Sequence, residues 1–305
     1  MGHANQADPA VLVRDRTPHT TRPGMPAPYP DRPMPIHPIS RPPQADAAEN
    51  EPVAQELDAT ATDHFARFGW AAVPRFFSES EMEDILRWTD EVAKSPEQAG
   101  AQMLYREKSA LDTASNVIQR IENFCPHHEA FDQLIRRGRL QRAVGQLLGG
   151  LPVLFKDKIN FKMPGGAGFE LHQDQQAGWS AYAPLFVTAM VSIDPATVDN
   201  GCLELAAMLR QTGLIGSEWA PLTVDEIGKA TLTPVSTRPG DALFFDSFVP
   251  HASKPNLTRQ ARRVLYVTFN HAAEGDHRAK YYADKRANFP PDIERSPGVE
   301  YRFRV

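Results

Sequence analysis

The chain has 305 residues, 41% of them hydrophobic, and a formal net charge of -5, which suffices for one large domain or two small ones with a sizeable core. Interspersed charges without a basic face argue against a nucleic-acid partner, and no run approaches the roughly 20 apolar residues of a membrane-spanning helix. The N-terminus lacks the short apolar core of a secretory signal, so a cytoplasmic location is expected. The two cysteines, Cys125 and Cys202, are too few for a disulfide framework or a zinc ribbon and are expected to be reduced and structural.

Residues 1–56 are crowded with proline and show no apolar periodicity, which predicts a disordered extension with the ordered domain, 57–305, beginning near Leu57. Ala59 to Phe68 reads as a short helix and Trp70 to Val73 as a strand. Ser78 followed by Glu81 forms a capping box for a helix whose stripe of Met82, Ile85, Leu86 and Val92 runs to about Lys94. Val117 to Phe124 reads as a strand. Glu129 to Leu148 reads as two helices broken near Gly138 and ended by Gly149-Gly150.

From Val153 the pattern changes to short strands separated by Gly, Pro and Asn turns: Val153 to Met163, Phe169 to Asp174, Leu185 to Ile193, Cys202 to Ala206, Ala242 to Phe244, and Arg263 to Asn270. Asn200-Gly201 and Pro239-Gly240-Asp241 are the sharpest turn signals. Many short strands without intervening helices predict a mainly β fold with flanking helices, a barrel or sandwich, and no internal repeat is present.

Two of these segments carry chemistry. In His172-Gln173-Asp174, strand alternation puts an imidazole and a carboxylate on one face. His251, in a loop after Pro250, supplies a second imidazole, and two histidines with one carboxylate hold iron(II) while leaving three coordination positions open. A lone His-x-Asp arises often by chance. The motif gains specificity from His251-Ala252-Ser253 and from Arg262, eleven residues beyond the histidine.

With Asn200-Gly201-Cys202-Leu203 and Gly240-Asp241, these motifs make the chain from about Leu57 onward resemble the phytanoyl-CoA dioxygenase family. The resemblance implies a double-stranded β-helix, that is, a jelly-roll or cupin-like barrel, and an iron(II)- and 2-oxoglutarate-dependent dioxygenase. Such an enzyme uses dioxygen to hydroxylate an unactivated C–H bond, while 2-oxoglutarate decarboxylates to succinate and CO2. It further implies that His172, Asp174 and His251 bind the metal and act in catalysis. Arg262 would hold the distal carboxylate of 2-oxoglutarate, Ser253 would donate to that carboxylate, and Asn160 would contact the metal-binding end. A guanidinium suits a carboxylate better than lysine would. Arg263 competes for that place, since adjacent strand residues face opposite ways, and spacing favours Arg262. Related halogenases carry a small residue where this chain has Asp174, which argues for hydroxylation. Relatives continue the Asn-Gly strand into a Pro-Gly-Ser-His turn at the mouth of the site, whereas this chain reads Glu204 to Arg210, so the mouth is expected to be atypical.

The small-molecule substrate is left open between an aminoethylphosphonate-like zwitterion and a secondary-metabolite intermediate, and so is the oligomeric state. Trp179 and Tyr182 either line the entrance or pack beneath a loop. Lys156, Lys158, Asn160 and Lys162 share one strand face. A solvated face is the expected reading, and a barrel-lining face would favour an anionic substrate. His127, His128, His271 and His277 are expected at surface or capping positions. Two rival readings are a cupin-type metal enzyme that does not use 2-oxoglutarate and a non-catalytic barrel acting as a scaffold.

Overall fold

The computed structural model describes residues 57–301, so the disordered extension expected over residues 1–56 lies outside the described residues. Helices α1 (Ala59–Phe68), α2 (Glu79–Lys94), α3 (Glu129–Arg136) and α4 (Arg139–Leu148) fall where capping and periodicity predict. Asp58 caps α1, and Ser78 and Glu81 form both halves of the capping box on α2. The strands are β1 (Trp70–Val73), β2 (Met103–Lys108), β3 (Asn116–Glu122), β4 (Pro152–Lys162), β5 (Phe169–His172), β6 (Phe186–Ser192), β7 (Leu203–Ala206), β8 (Leu232–Val235), β9 (Ala242–Asp246), β10 (His251–Ser253) and β11 (Arg262–His271), followed by α5 (Arg278–Asn288).

These strands form two antiparallel sheets, one of order β1-β9-β6-β11-β4-β3-β2 and one of order β5-β10-β7-β8. This is the expected double-stranded β-helix, in which a cavity opens between the inner faces of the sheets. Strict alternation along the central strands assigns the faces. Ile159 and Phe161 of β4, Val187 and Ala189 of β6, Ala242 and Phe244 of β9, and Leu265 and Val267 of β11 point outward into one core with Phe131, Ile135, Leu140 and Val144 of α3 and α4. Lys156, Lys158 and Asn160, Thr188, Phe245, and Tyr266 and Thr268 consequently face the cavity. The lysine stripe therefore lines the barrel and is not a solvated face. On the opposite face of β4, Ile159 and Phe161 are apolar and packed in the core with the helices, and Asp157 is paired with Arg278, which leaves the lysines and Asn160 the inner side.

Four elements escaped the sequence pattern: β10, where a loop was expected, and β2, β8 and α5. In β2, Arg106, Glu107 and Lys108 break any alternation, and the strand is held by pairing with β3. β8 contains Pro234, which is tolerated because β8 is an edge strand. α5 buries only Arg278, Tyr281 and Tyr282, helically spaced residues that do not read as an apolar stripe. Its anchors are polar: Arg278 pairs with Asp157 at 2.5 Å, and the Tyr282 hydroxyl donates to the Asp157 carbonyl at 3.0 Å. β3 stops at Glu122, short of the expected Phe124, because Asn123 turns to φ 57°. No helix among the described residues is long and apolar enough to cross a membrane.

Candidate active site

Two strands bring the three candidate metal ligands together. His251 opens β10 and pairs directly across from His172, the last residue of β5, which sets their rings 4.3 Å apart. The expectation of a loop at His251 is thus corrected: the residue is held on both sides, by β5 and by β7. β5 ends two residues before Asp174, which begins a 3-10 turn. Gln173 stays extended (φ -103°, ψ 133°), so the carboxylate still falls on the face of His172 before the chain turns away. The Gln173 amide, fully buried, donates to the carbonyls of Phe248 and Gly213 at 2.6 and 3.1 Å and anchors the motif from behind.

The three side chains can each direct one ligand atom to a common point, with all these atoms within 4.8 Å of one another. Nδ1 of His172 lies 2.7 Å from the Glu170 carbonyl and Nδ1 of His251 lies 2.9 Å from the Val249 carbonyl. A carbonyl only accepts, so both Nδ1 atoms carry the proton and both Nε2 lone pairs are bare for a metal. Burial, with His251 beside it, pushes the His172 pKa down to about 3, which keeps the imidazole in its neutral, ligating form. The donor set fits the iron site that the resemblance implies.

Around the triad lies a cavity of about 500 Å³, its open mouth included, with Lys156, Lys158, Asn160, Thr188, Ser253 and Tyr266 among its lining residues. Asn160 is buried, and its Oδ1 has no hydrogen-bond partner among the described residues. Arg262 is 1% exposed, and its Nε and Nη1 likewise lack partners among the described residues. Such orphaned buried donors are costly unless a ligand satisfies them, and a carboxylate matches a guanidinium. Arg262 sits beneath the lining: its neighbour Tyr266 and the nearby Ser253 reach the cavity surface. Along β10, Ser253 is two residues beyond His251, roughly 7 Å at strand rise. That separation suits a five-carbon dicarboxylate with one end at the triad. Arg263 faces outward, bonded to Asp194 at 2.8 Å and Asp90 at 2.8 Å, so it does not compete.

Trp179 is 2% exposed and walls the cavity, while Tyr182 lies further out with its hydroxyl donating to Asp284 at 2.6 Å. The segment Glu204 to Arg210 does not line this cavity. Arg210 turns away to pair with the buried Asp246 at 2.6 Å, and Glu204 pairs with Lys254 at 3.1 Å. His128 caps α3, His271 caps the turn at Ala272–Glu274, and His277 bonds the Glu274 carbonyl, as expected of non-catalytic histidines. Cys125 and Cys202 are free and buried.

Sequence reasoning missed a buried ion cluster behind the lysines. Glu122 accepts from Arg120 Nε at 2.9 Å and is paired with Lys285 of α5. Burial alone would raise the Glu122 pKa, but Lys156, Lys285 and Arg120 outweigh it and the carboxylate stays ionised. Its two partners leave Lys156 and Lys158 without a hydrogen bond or ion pair among the described residues. Their ammonium groups rest over aromatic faces, Lys156 over Trp179 at 5.5 Å and Lys158 over Tyr266 at 4.6 Å.

Residues 65–264 match the family model described as phytanoyl-CoA dioxygenase (PhyH). The chain is 37% identical over 234 residues to a 2-aminoethylphosphonate dioxygenase from uncultured bacterium HF130_AEPn_1, covering 76% of this chain and 89% of the relative. It is 38% identical over 236 residues to a methylphosphonate hydroxylase from Gimesia maris, covering 76% and 88%. Among solved structures, EctD from S. alaskensis with 2-oxoglutarate and 5-hydroxyectoine superposes with a TM-score of 0.60 at 19% identity, over 77% of this chain and 83% of that one. That likeness concerns the fold.

Proposed function

We propose that this chain, which belongs to the phytanoyl-CoA dioxygenase family and is an iron- and 2-oxoglutarate-dependent dioxygenase, hydroxylates a carbon of a small organophosphonate. The carrying observation is the pair of unpartnered ammonium groups, Lys156 and Lys158, facing the cavity that contains the triad. Two like charges in one cavity disfavour each other, and although Glu122 and Asp174 lie close enough to attract them, neither carboxylate bonds them, so an anion entering the cavity is drawn to both ammonium groups. A phosphonate, tetrahedral, doubly charged near neutral pH and rich in acceptor oxygens, answers that requirement better than a singly charged carboxylate. The two relatives' names supply the same substrate class independently.

In this reading His172, Asp174 and His251 hold the iron, Asn160 bonds the chelating end of 2-oxoglutarate, and Ser253 and Arg262 bind its far carboxylate. When bound, iron(II), 2-oxoglutarate and dioxygen supply the oxidising power, and 2-oxoglutarate leaves as succinate and CO2. The chain's own residues contribute placement. Lys156 and Lys158 fix the anionic end so that the neighbouring C–H bond faces the open coordination positions, and Trp179, with the apolar ring faces of Phe169 and Phe245, restricts water. The unpaired nitrogens of Arg262 weigh against a cupin-type enzyme without 2-oxoglutarate.

The test is release of succinate by protein supplied with iron(II), ascorbate, dioxygen and 2-oxoglutarate, across methylphosphonate, 2-aminoethylphosphonate and their carboxylate counterparts. Phosphorus NMR should show a new hydroxyalkylphosphonate. Turnover with the carboxylates and none with any phosphonate would sink the reading.

Lys158→Met should raise KM for the phosphonate by roughly thirtyfold, the scale of about 2 kcal/mol for a charged hydrogen bond, and leave KM for 2-oxoglutarate within about twofold. The pH profile gives a second check. Burial, with Lys156 beside it, pushes the Lys158 pKa down to about 7. The ammonium is fully charged below that value and loses its proton above it, so phosphonate binding should weaken on the alkaline side. Lys158→Arg, whose guanidinium stays charged, should remove that alkaline limb. Steady-state KM measured from pH 6 to 9 decides, and an identical limb in wild type and the arginine variant would assign it elsewhere.

A further inference from the structure

Lys162 faces the inner side of β4 directly opposite Arg262 of β11, and the two are 3% and 1% exposed. The Lys162 ammonium donates to Ser253 Oγ at 2.8 Å, to the Gly201 carbonyl at 3.3 Å and to the Lys254 carbonyl. An ammonium has three N–H donors and no acceptor, so all three are used. Gly201 makes the arrangement possible. It adopts φ +73°, and a Cβ there would lie 2.0 Å from the Lys254 carbonyl oxygen, so only glycine lets these two carbonyls converge on one cation. The Asn200 side chain secures the turn, accepting from the Thr197 N–H at 2.8 Å and donating to the Pro195 carbonyl at 2.9 Å. Asn256 clamps Lys162 from its backbone by donating to the Lys162 carbonyl at 2.8 Å.

The consequence falls on Ser253. A hydroxyl free to rotate can accept or donate in several directions, but the oxygen of Ser253 accepts from Lys162 when that residue carries its charge, the state that a dicarboxylate bound beside Arg262 favours, and an ammonium cannot accept in return. Its own proton must point away from Lys162. Ser253 lines the cavity, and Arg262, also donor-only, offers it no acceptor. Burial, together with Arg262, depresses the Lys162 pKa to about 7 against the opposing pull of Glu107 and Glu204.

We propose that Lys162 is a positioning residue for the co-substrate: by occupying the acceptor side of Ser253 it aims the hydroxyl proton at the distal carboxylate of 2-oxoglutarate, beside the Arg262 guanidinium. This rests on the co-substrate placement given above. The ammonium adds a second positive charge to that end of the pocket, acts through Ser253, and belongs to none of the motifs that identify the family in the sequence.

The test is anaerobic titration of 2-oxoglutarate into iron(II)-loaded protein, followed by the visible metal-to-ligand band, for wild type, Lys162→Met, Ser253→Ala and the double variant. Melting curves confirm that each is folded. Lys162→Met should weaken 2-oxoglutarate binding roughly ten- to fiftyfold, as expected for loss of a charge-assisted hydrogen bond. The double variant should bind no more than about twofold more weakly than the weaker single one, because the two residues act through one contact. Lys162→Gln, whose amide still donates, should lose less, and it supports the same cycle if the methionine variant does not fold. Wild-type affinity in folded Lys162→Met, or losses that multiply in the double variant, would overturn the inference alone. Wild-type protein that binds iron(II) but no 2-oxoglutarate would overturn the co-substrate placement and this inference with it.

Discussion

Asp174→Ala is expected to abolish phosphonate-dependent succinate release, a fall of roughly three orders of magnitude or more, because a bound metal supplies several kcal/mol of the catalysis and each 1.36 kcal/mol is tenfold in rate. The loss should be chemical and not structural. The Asp174 carboxylate makes no hydrogen bond to the scaffold among the described residues; its nearest partner is Nε2 of His172, at 3.8 Å. The alanine variant should therefore melt within a few degrees of wild type while anaerobic iron(II) titration shows weakened binding. His172→Ala should behave alike in turnover. Appreciable residual turnover in folded Asp174→Ala would mean that the carboxylate is not a ligand, and the iron site would have to be sought elsewhere. The presence of a carboxylate at this position, in place of the small residue of related halogenases, also predicts hydroxylated products when chloride is added in excess.

Arg262→Ala should strike a different parameter. Its guanidinium is buried, with two nitrogens lacking partners among the described residues. Truncating one member of a buried charged pair costs about 2 to 4 kcal/mol, so the Kd for 2-oxoglutarate should rise by roughly 30- to 1,000-fold. At saturating 2-oxoglutarate, kcat should recover most of its wild-type value. Arg263→Ala is the control, since its side chain is bonded to Asp194 and Asp90 on the outer face. It should lower the melting temperature modestly and leave the Kd unchanged. Equal effects of the two variants on 2-oxoglutarate binding would show that the loss reflects general loosening of β11 and not a carboxylate contact.

The parts of the site legible in the sequence were those set by local geometry. His172 and Asp174 share a face because Gln173 is extended, and Arg262 and Arg263 divide between the two faces because β11 alternates. The helix start at Ser78 was legible for a similar reason, since the capping box involves only residues three apart. β2, β8 and α5 were not, because pairing with β3, an edge position, and ion pairs to β3 and β4 hold them, and their own sequences carry little periodicity.

By itself, then, the sequence determined the mainly β fold class and singled out the three metal-binding candidates and Arg262 as the candidate for the co-substrate, since strand alternation acts within one segment and motif spacing can be read along the chain. The tertiary structure alone decided which face of β4 looks inward. Lys156, Lys158, Asn160 and Lys162 read as a solvated stripe until the helices are seen to cover Ile159 and Phe161. An apolar face is buried against whatever apolar surface the rest of the chain provides, and the polar face takes the side that remains, here a cavity in which two lysines make no ion pair among the described residues. Charge inside a barrel is a property of what surrounds a strand, and residues more than a hundred positions apart in the chain set it.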